Sequence, residues 1–206
     1  MRRDIHHRVL AAKDKDELAD IYRDWAADYD SDLTDQMGYR VYLDIAVMLR
    51  QVLAPENTQI LDAGCGTGLV GLALASQGYT NITGLDYSEA MLDEAAGKGV
   101  YESLERADLT APLALSANHF DAVTCVGTLT LGHVGPEALT ELIRVTRPGG
   151  YLCFSVRDEA WAEHCYAEVL EAHVAAGRCS EVETRSAPYI EEDGSTCQLC
   201  LYEVGD

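Results

Sequence analysis

One stretch of the chain has glycines and a carboxylate spaced to hold a ligand against the main chain: Leu61-Asp62-Ala63-Gly64-Cys65-Gly66-Thr67-Gly68-Leu69-Val70-Gly71. Glycines after a strand allow a tight turn and remove side chains that would keep a ligand off the backbone. Asp86, in Leu85-Asp86-Tyr87, lies twenty residues beyond Gly66. A doubly wound fold places a carboxylate there, on ribose hydroxyls. Loop and acid together point to a ligand containing adenosine. Gly66, Gly68 and Gly71 also satisfy the GxGxxG dinucleotide pattern, which taken alone is a weak signal. Asp62 bears on the choice. A carboxylate just ahead of the first glycine opposes a pyrophosphate and suits an ammonium. S-adenosylmethionine carries an α-ammonium and a sulfonium and no phosphate, so it is favoured over NAD. An NAD-dependent oxidoreductase is the lesser alternative.

Two further groups of residues could do chemistry. His133 ends Gly127-Thr128-Leu129-Thr130-Leu131-Gly132-His133, just after a strand-like run. With an ordinary pKa near 6.5 it is either a general base for an oxygen or nitrogen acceptor, or a loop histidine that shapes a wall or faces solvent. Cys197 and Cys200 form CxxC within Thr196-Cys197-Gln198-Leu199-Cys200-Leu201. That segment has strand texture, and an offset of three along a strand sends the two thiols to opposite faces. No HExxH set occurs, and no metal is expected.

The elements that must position these groups follow from periodicity. Residues 14–30 read as an amphipathic helix, with Leu18, Ile21, Tyr22, Trp25 and Tyr29 at helical spacing. A second helix is expected over 39–53. Short apolar runs then alternate with helical stretches. Strands are expected at 59–64, 81–87, 100–105, 120–129 and 149–156, and helices at 68–78, 88–98, 136–145 and 159–174. Alternation of this kind builds βαβ units, hence an α/β doubly wound, mostly parallel sheet with helices on both faces. Segments 181–190 and 196–204 are separated by turn residues and read as a C-terminal antiparallel hairpin, giving seven strands in all. Residues 1–57 form an N-terminal helical extension or lid, and 58–206 the ligand-binding domain.

Thirty-five acidic residues against fifteen basic ones give a net charge of −20 among 206 residues. Such a surface repels phosphate backbones, which argues against nucleic acid and anionic membrane surfaces as partners. The charge keeps the chain soluble, or favours a cationic partner such as an amine-bearing acceptor. No run of about 18 apolar residues appears, and the start does not read as a secretory signal. The seven cysteines lie mostly among apolar residues, as in Ala122-Val123-Thr124-Cys125-Val126, which fits reduced thiols and a cytoplasmic location.

Taken in order, LDAGCGTG, GLDYS, ADL, FDAVTCVGTL and TRPGGYLCFSV resemble the motif set of class I S-adenosylmethionine-dependent methyltransferases. More narrowly, Tyr22-Arg23-Asp24-Trp25-Ala26-Ala27-Asp28-Tyr29-Asp30 and the VTRPGG turn are similar to segments of the Williams–Beuren syndrome region methyltransferase-like proteins. The resemblance implies that S-adenosyl-L-methionine is the cofactor and that Gly64, Cys65 and Gly66 line its methionyl part, with Asp62 near its ammonium. It implies that Asp86 holds the ribose and Tyr87 packs by the adenine. Asp108 and Leu109 would meet the adenine, unless Asp108 is only a loop or capping acid. Val126 and Gly127 would pass near the methyl donor. Tyr29 is either a lid over the site or a core residue. The expected activity is methyl transfer to a small-molecule acceptor that the sequence does not name. The alternative is a member that binds the cofactor without catalysing and serves in protein interaction.

Overall fold

The computed structural model describes residues 15–131 and 134–205. Two helices come first, α1 (Lys15–Ser31) and α2 (Val41–Val52), with a π-helical turn at Asp32–Gln36 between them. The alternating part is β1 (Gln59–Ala63), α3 (Leu69–Ser76), β2 (Asn81–Asp86), α4 (Glu89–Gly97), β3 (Ser103–Arg106), β4 (Phe120–Leu129), α5 (Ala138–Val145) and β5 (Thr146–Arg157). Two short helices, α6 (Asp158–Glu163) and α7 (Tyr166–Ala175), lead to β6 (Cys179–Ile190) and β7 (Ser195–Val204).

The strands form one seven-stranded sheet in the order β3-β2-β1-β4-β5-β7-β6. Strands β1 to β5 pair in parallel, and β7 runs antiparallel between β5 and β6. The expected sheet and terminal hairpin are therefore both present. Strand order reverses between β1 and β4, and at such a point the carboxyl ends of parallel strands diverge and leave a crevice.

Successive side chains of a strand point to opposite faces. Ile60 accordingly packs with the core of α2 and α3, and Leu61 with the core of α5 and α7. Both faces being covered, β1 is buried from Ile60 to Ala63, with Asp62 the one charged side chain among them. Cys197 and Cys200 obey the same rule and lie buried in opposite cores. Helix α5 buries Ala138, Leu139, Leu142, Ile143 and Val145, a single stripe at helical spacing.

The structure corrects the sequence in one element. A single helix over 159–174 is expected, but Cys165 adopts φ +52° and splits it into α6 and α7. The break turns Tyr166 into the core, where it is fully buried with its ring stacked on Trp161 at 6.0 Å. Among the described residues, no helix is long and apolar enough to cross a membrane.

Two backbone features aim the fold at the crevice. Between Cys125 and Leu129, four steps of β4 pair against two of β5, so residues 126–128 bow outward. Gly127 sits in this bulge at φ +74°, and its N–H donates to Ser155 Oγ at 3.0 Å. The second feature is Gly71 on α3. A methyl there would overlap the Tyr101 ring, whose hydroxyl donates to Asp62 at 2.7 Å. Alanine gains about 0.5–1 kcal/mol over glycine inside a helix, whereas overpacking costs about 1–3 kcal/mol. Gly71→Ala should therefore lower stability by about 1–2 kcal/mol in urea unfolding. An increase would mean that Tyr101 yields freely.

Candidate active site

The turn after β1 is tied to the end of β2 by its own backbone. The N–H groups of Gly64 and Cys65 both donate to Leu85 O, at 2.7 and 2.8 Å. That of Gly66 donates to Asp86 Oδ2 at 2.8 Å. Asp86 Oδ1 accepts the N–H of Ser88 at 2.9 Å, and Ser88 in turn caps α4. Burial raises the Asp86 carboxyl above its ordinary value, and the backbone N–H donors only partly offset this. Gly64, Gly66 and Gly68 all have positive φ, which a side chain would strain. A Cβ on Gly64 would strike Thr128 of the β4 bulge, whereas a Cβ on Gly66 would meet nothing within 4 Å.

These groups floor a cavity of about 200 Å³ at the carboxyl ends of the strands. Tyr29, Gly64, Cys65, Gly66, Asp86, Tyr87, Asp108, Leu109, Val126 and Gly127 all line it. Arg106 holds Tyr87 in place, with its guanidinium 4.9 Å from the ring centre and its Nε donating to Tyr87 O. Asp108 accepts from the N–H and hydroxyl of Thr110, so it stabilises its own turn while facing the cavity. His133 lies outside the described residues.

Asp62 does not line the cavity. It is fully buried beneath the floor, and its carboxylate accepts from Tyr101 at 2.7 Å and Thr124 at 3.0 Å. Burial pushes its carboxyl up to about 6, against the lowering effect of those two hydrogen bonds.

The roof is aromatic and comes from the N-terminal helix. Tyr22 stacks on Trp25, and Tyr29 meets Trp25 edge-on at 4.7 Å. Trp25 is buried and anchored by an indole N–H bond to Asp32 at 2.9 Å. It is at once core and cavity wall, as is Tyr29. Next to Tyr29, Asp30 fastens α1 to the floor: it accepts from the Thr67 hydroxyl and pairs with Lys98 at 2.7 Å. The tip of the β6–β7 hairpin closes the far side, with Glu192 N–H donating to Met37 O at 3.2 Å.

Sequence reasoning missed Tyr39, Tyr189 and Arg157, which complete that far side. Arg157 carried a usable signal, since it is a charged residue at the carboxyl end of a buried parallel strand. Tyr39 and Tyr189 carried none, because their meeting, with ring centres 5.3 Å apart, depends on how the chain ends dock. The acidic composition suggested an amine-bearing acceptor. Inside the cavity, however, the carboxylates Asp86 and Asp108 lie toward β2 and β3, while β5 contributes a cation.

A family model described as a methyltransferase domain matches residues 61–154. Human methyltransferase-like protein 27 is 38% identical over 175 residues, covering 82% of this chain and 70% of that protein. The chain belongs to the class I S-adenosylmethionine-dependent methyltransferases. A malonyl-[acyl-carrier protein] O-methyltransferase of Buchnera aphidicola is 33% identical over 69% of the chain and 55% of its own length. Among solved structures, the methyltransferase complexed with the Trm112 activator of Haloferax volcanii has a TM-score of 0.69 at 20% identity, covering 90% of this chain and 98% of that one. A methyltransferase of Methanosarcina mazei has a TM-score of 0.61 at 18% identity, covering 77% and 97%. At such identities these two share the fold.

Two outcomes test this geometry. Because the methyltransferase holds Asp62 above its ordinary 3.8, folding favours the protonated form. Its contribution to stability is full below about pH 3.8 and is lost as pH rises through about 6. Asp62→Asn lacks this dependence. Its stability relative to the parent should therefore rise by about 2–3 kcal/mol between pH 4 and pH 7, at 1.36 kcal/mol per unit. A constant difference would contradict the raised carboxyl. Separately, Gly66→Val should fold, with some backbone strain at φ +53°, yet lose S-adenosylhomocysteine binding in calorimetry. Normal binding by the folded variant would mean that the turn does not face the ligand.

Proposed function

We propose that this methyltransferase transfers the cofactor methyl to a small-molecule acceptor, with residues 58–206 binding the cofactor and residues 1–57 covering it. The observation that carries this reading is the joint between Gly66 and Asp86 at the floor of a cavity roofed by α1. When bound, S-adenosylmethionine supplies an activated methyl on a sulfonium, and the protein has to align the acceptor and keep water out.

The residues suit that ligand. Asp86 uses part of its acceptor capacity on backbone N–H groups and turns the rest toward the cavity, as a ribose diol requires. Gly66 leaves the main chain open to a methionyl tail, and Gly64 and Cys65 continue the same surface. Tyr87, Asp108 and Leu109 lie where an adenine would follow the ribose, and Val126 and Gly127 lie on the methyl side. Asp62 acts from below, through Tyr101 and Thr124, to hold the strand end and to place negative charge under the ammonium. Burial holds the hydroxyls of Tyr22, Tyr29 and Tyr39 above their ordinary value, so they stay protonated near neutral pH. They position by donating hydrogen bonds and do not act as bases.

A covered cavity with aromatic walls fits a small acceptor better than a folded protein surface. Asp86→Ala should weaken S-adenosylhomocysteine binding by about 1.5–3 kcal/mol, the scale of hydrogen bonds to a charged group. Unchanged affinity would remove Asp86 from the ribose site. With radiolabelled methyl donor and a cell extract, label should enter the low-molecular-weight fraction. Label confined to protein would overturn the small-acceptor reading.

A further inference from the structure

We infer that the acceptor carries a carboxylate and that Arg157, with Tyr39 and Tyr189, is the site that binds it. The inference rests on the reading of this cavity as the methyl-transfer site and adds the chemical class of its second ligand.

Position is the first observation. Asp86 ends β2 and Arg157 ends β5, three strands away in the order β2-β1-β4-β5. At about 4.8 Å per strand the two ends stand roughly 14 Å apart. The β4 bulge lies between them, so Arg157 faces the cavity from beyond the methyl side.

Charge is the second. Among the described residues lining the cavity, Arg157 is the only cation, in a chain of net charge −20. Both lining carboxylates, Asp86 and Asp108, are on the far side of the glycine turn. A guanidinium is costly to bury unless it is paired. The Arg157 side chain is 11% exposed, and its Nε has no hydrogen-bond partner. Glu159 forms an ion pair with that nitrogen at 3.3 Å but without hydrogen-bond alignment, and its own side chain is 58% exposed, where solvent weakens the pair.

The third observation is the company that Arg157 keeps. Its guanidinium lies over the Tyr189 ring, 5.1 Å from the centre, a cation–π contact that holds it on this side of the cavity. Burial pushes the Tyr189 hydroxyl up to about 12 even with the cation beside it, and Tyr39 is also raised. Both phenols are therefore donors. They converge over Gly127: a Cβ there would lie 2.9 Å from the Tyr39 hydroxyl and 3.6 Å from that of Tyr189. A planar guanidinium fork with two hydroxyl donors on the same side of the cavity matches the two coplanar oxygens of a carboxylate.

The test uses the full chain saturated with S-adenosylhomocysteine. Benzoate, phenylacetate, 3-phenylpropionate and hexanoate are titrated by calorimetry against their neutral amides, with phenyl phosphate as a separate arm. At least one acid should bind tenfold or more tightly than its amide. Arg157→Gln should erase that preference while binding S-adenosylhomocysteine within twofold of the parent. Tyr189→Phe should reduce the preference in part. The inference is overturned if no acid outbinds its amide, if Arg157→Gln keeps the preference, or if phenyl phosphate outbinds every acid. Loss of S-adenosylhomocysteine from folded Arg157→Gln would also overturn it, by assigning the arginine to the cofactor. Failure of the parent chain to bind S-adenosylhomocysteine would instead strike the reading of the cavity itself.

Discussion

The carboxylate of Asp86 accepts the backbone N–H of Gly66, and the site depends on that bond. It joins the turn after β1 to the end of β2, two edges of the same crevice. The glycine turn would otherwise be loose, since glycine gives up more conformational freedom on ordering than other residues. Bonds from Gly64 and Cys65 to Leu85 O reinforce the tie, and Asp62 beneath keeps the strand end in register with Thr124. One side chain thus orders the main chain and presents charge to the cavity. The energy of its burial is partly offset by backbone donors that the fold has to satisfy in any case.

A second level of organisation is the roof. Helix α1 buries Ile21 and Trp25 in the core beside α2, yet also hangs Tyr22 and Tyr29 over the opening. Its attachment at Asp30 reaches both Thr67 of the turn and Lys98 at the end of α4. Cover and floor are therefore held together by a charge-assisted contact next to the cavity, which is stronger than a neutral hydrogen bond. Excluding water in this way sharpens every polar contact inside.

How far the sequence could be read depended on how local each feature is. The strand ladder was readable because β1, β4 and β5 are apolar runs covered on both faces. The joint between the glycine turn and Asp86 was readable because it is a spacing along the chain. The break at Cys165 was not, since a left-handed residue in a helical pattern leaves no periodic trace, and its counterpart, the burial of Tyr166, is a tertiary contact. The insertion of β7 between β5 and β6 is set by sheet pairing and not by any local signal. Asp62 was visible as an acid at the right place, but its burial away from the cavity wall comes from Tyr101, thirty-nine residues on. Tyr39, Tyr189 and Arg157 gather only in three dimensions.

The meeting of the hairpin tip with the segment before α2 has a consequence for folding and for descent. Twenty residues separate Gly66 from Asp86, but 150 separate Tyr39 from Tyr189. Closing the longer loop costs roughly 2 kcal/mol more in chain entropy. The glycine turn and Asp86 belong to one βαβ unit and can assemble early, whereas the Tyr39–Tyr189 contact waits for two segments far apart in the sequence to meet. Changes at those late-docking segments can reshape their side of the cavity while leaving the early unit, and its bond between Gly66 and Asp86, untouched.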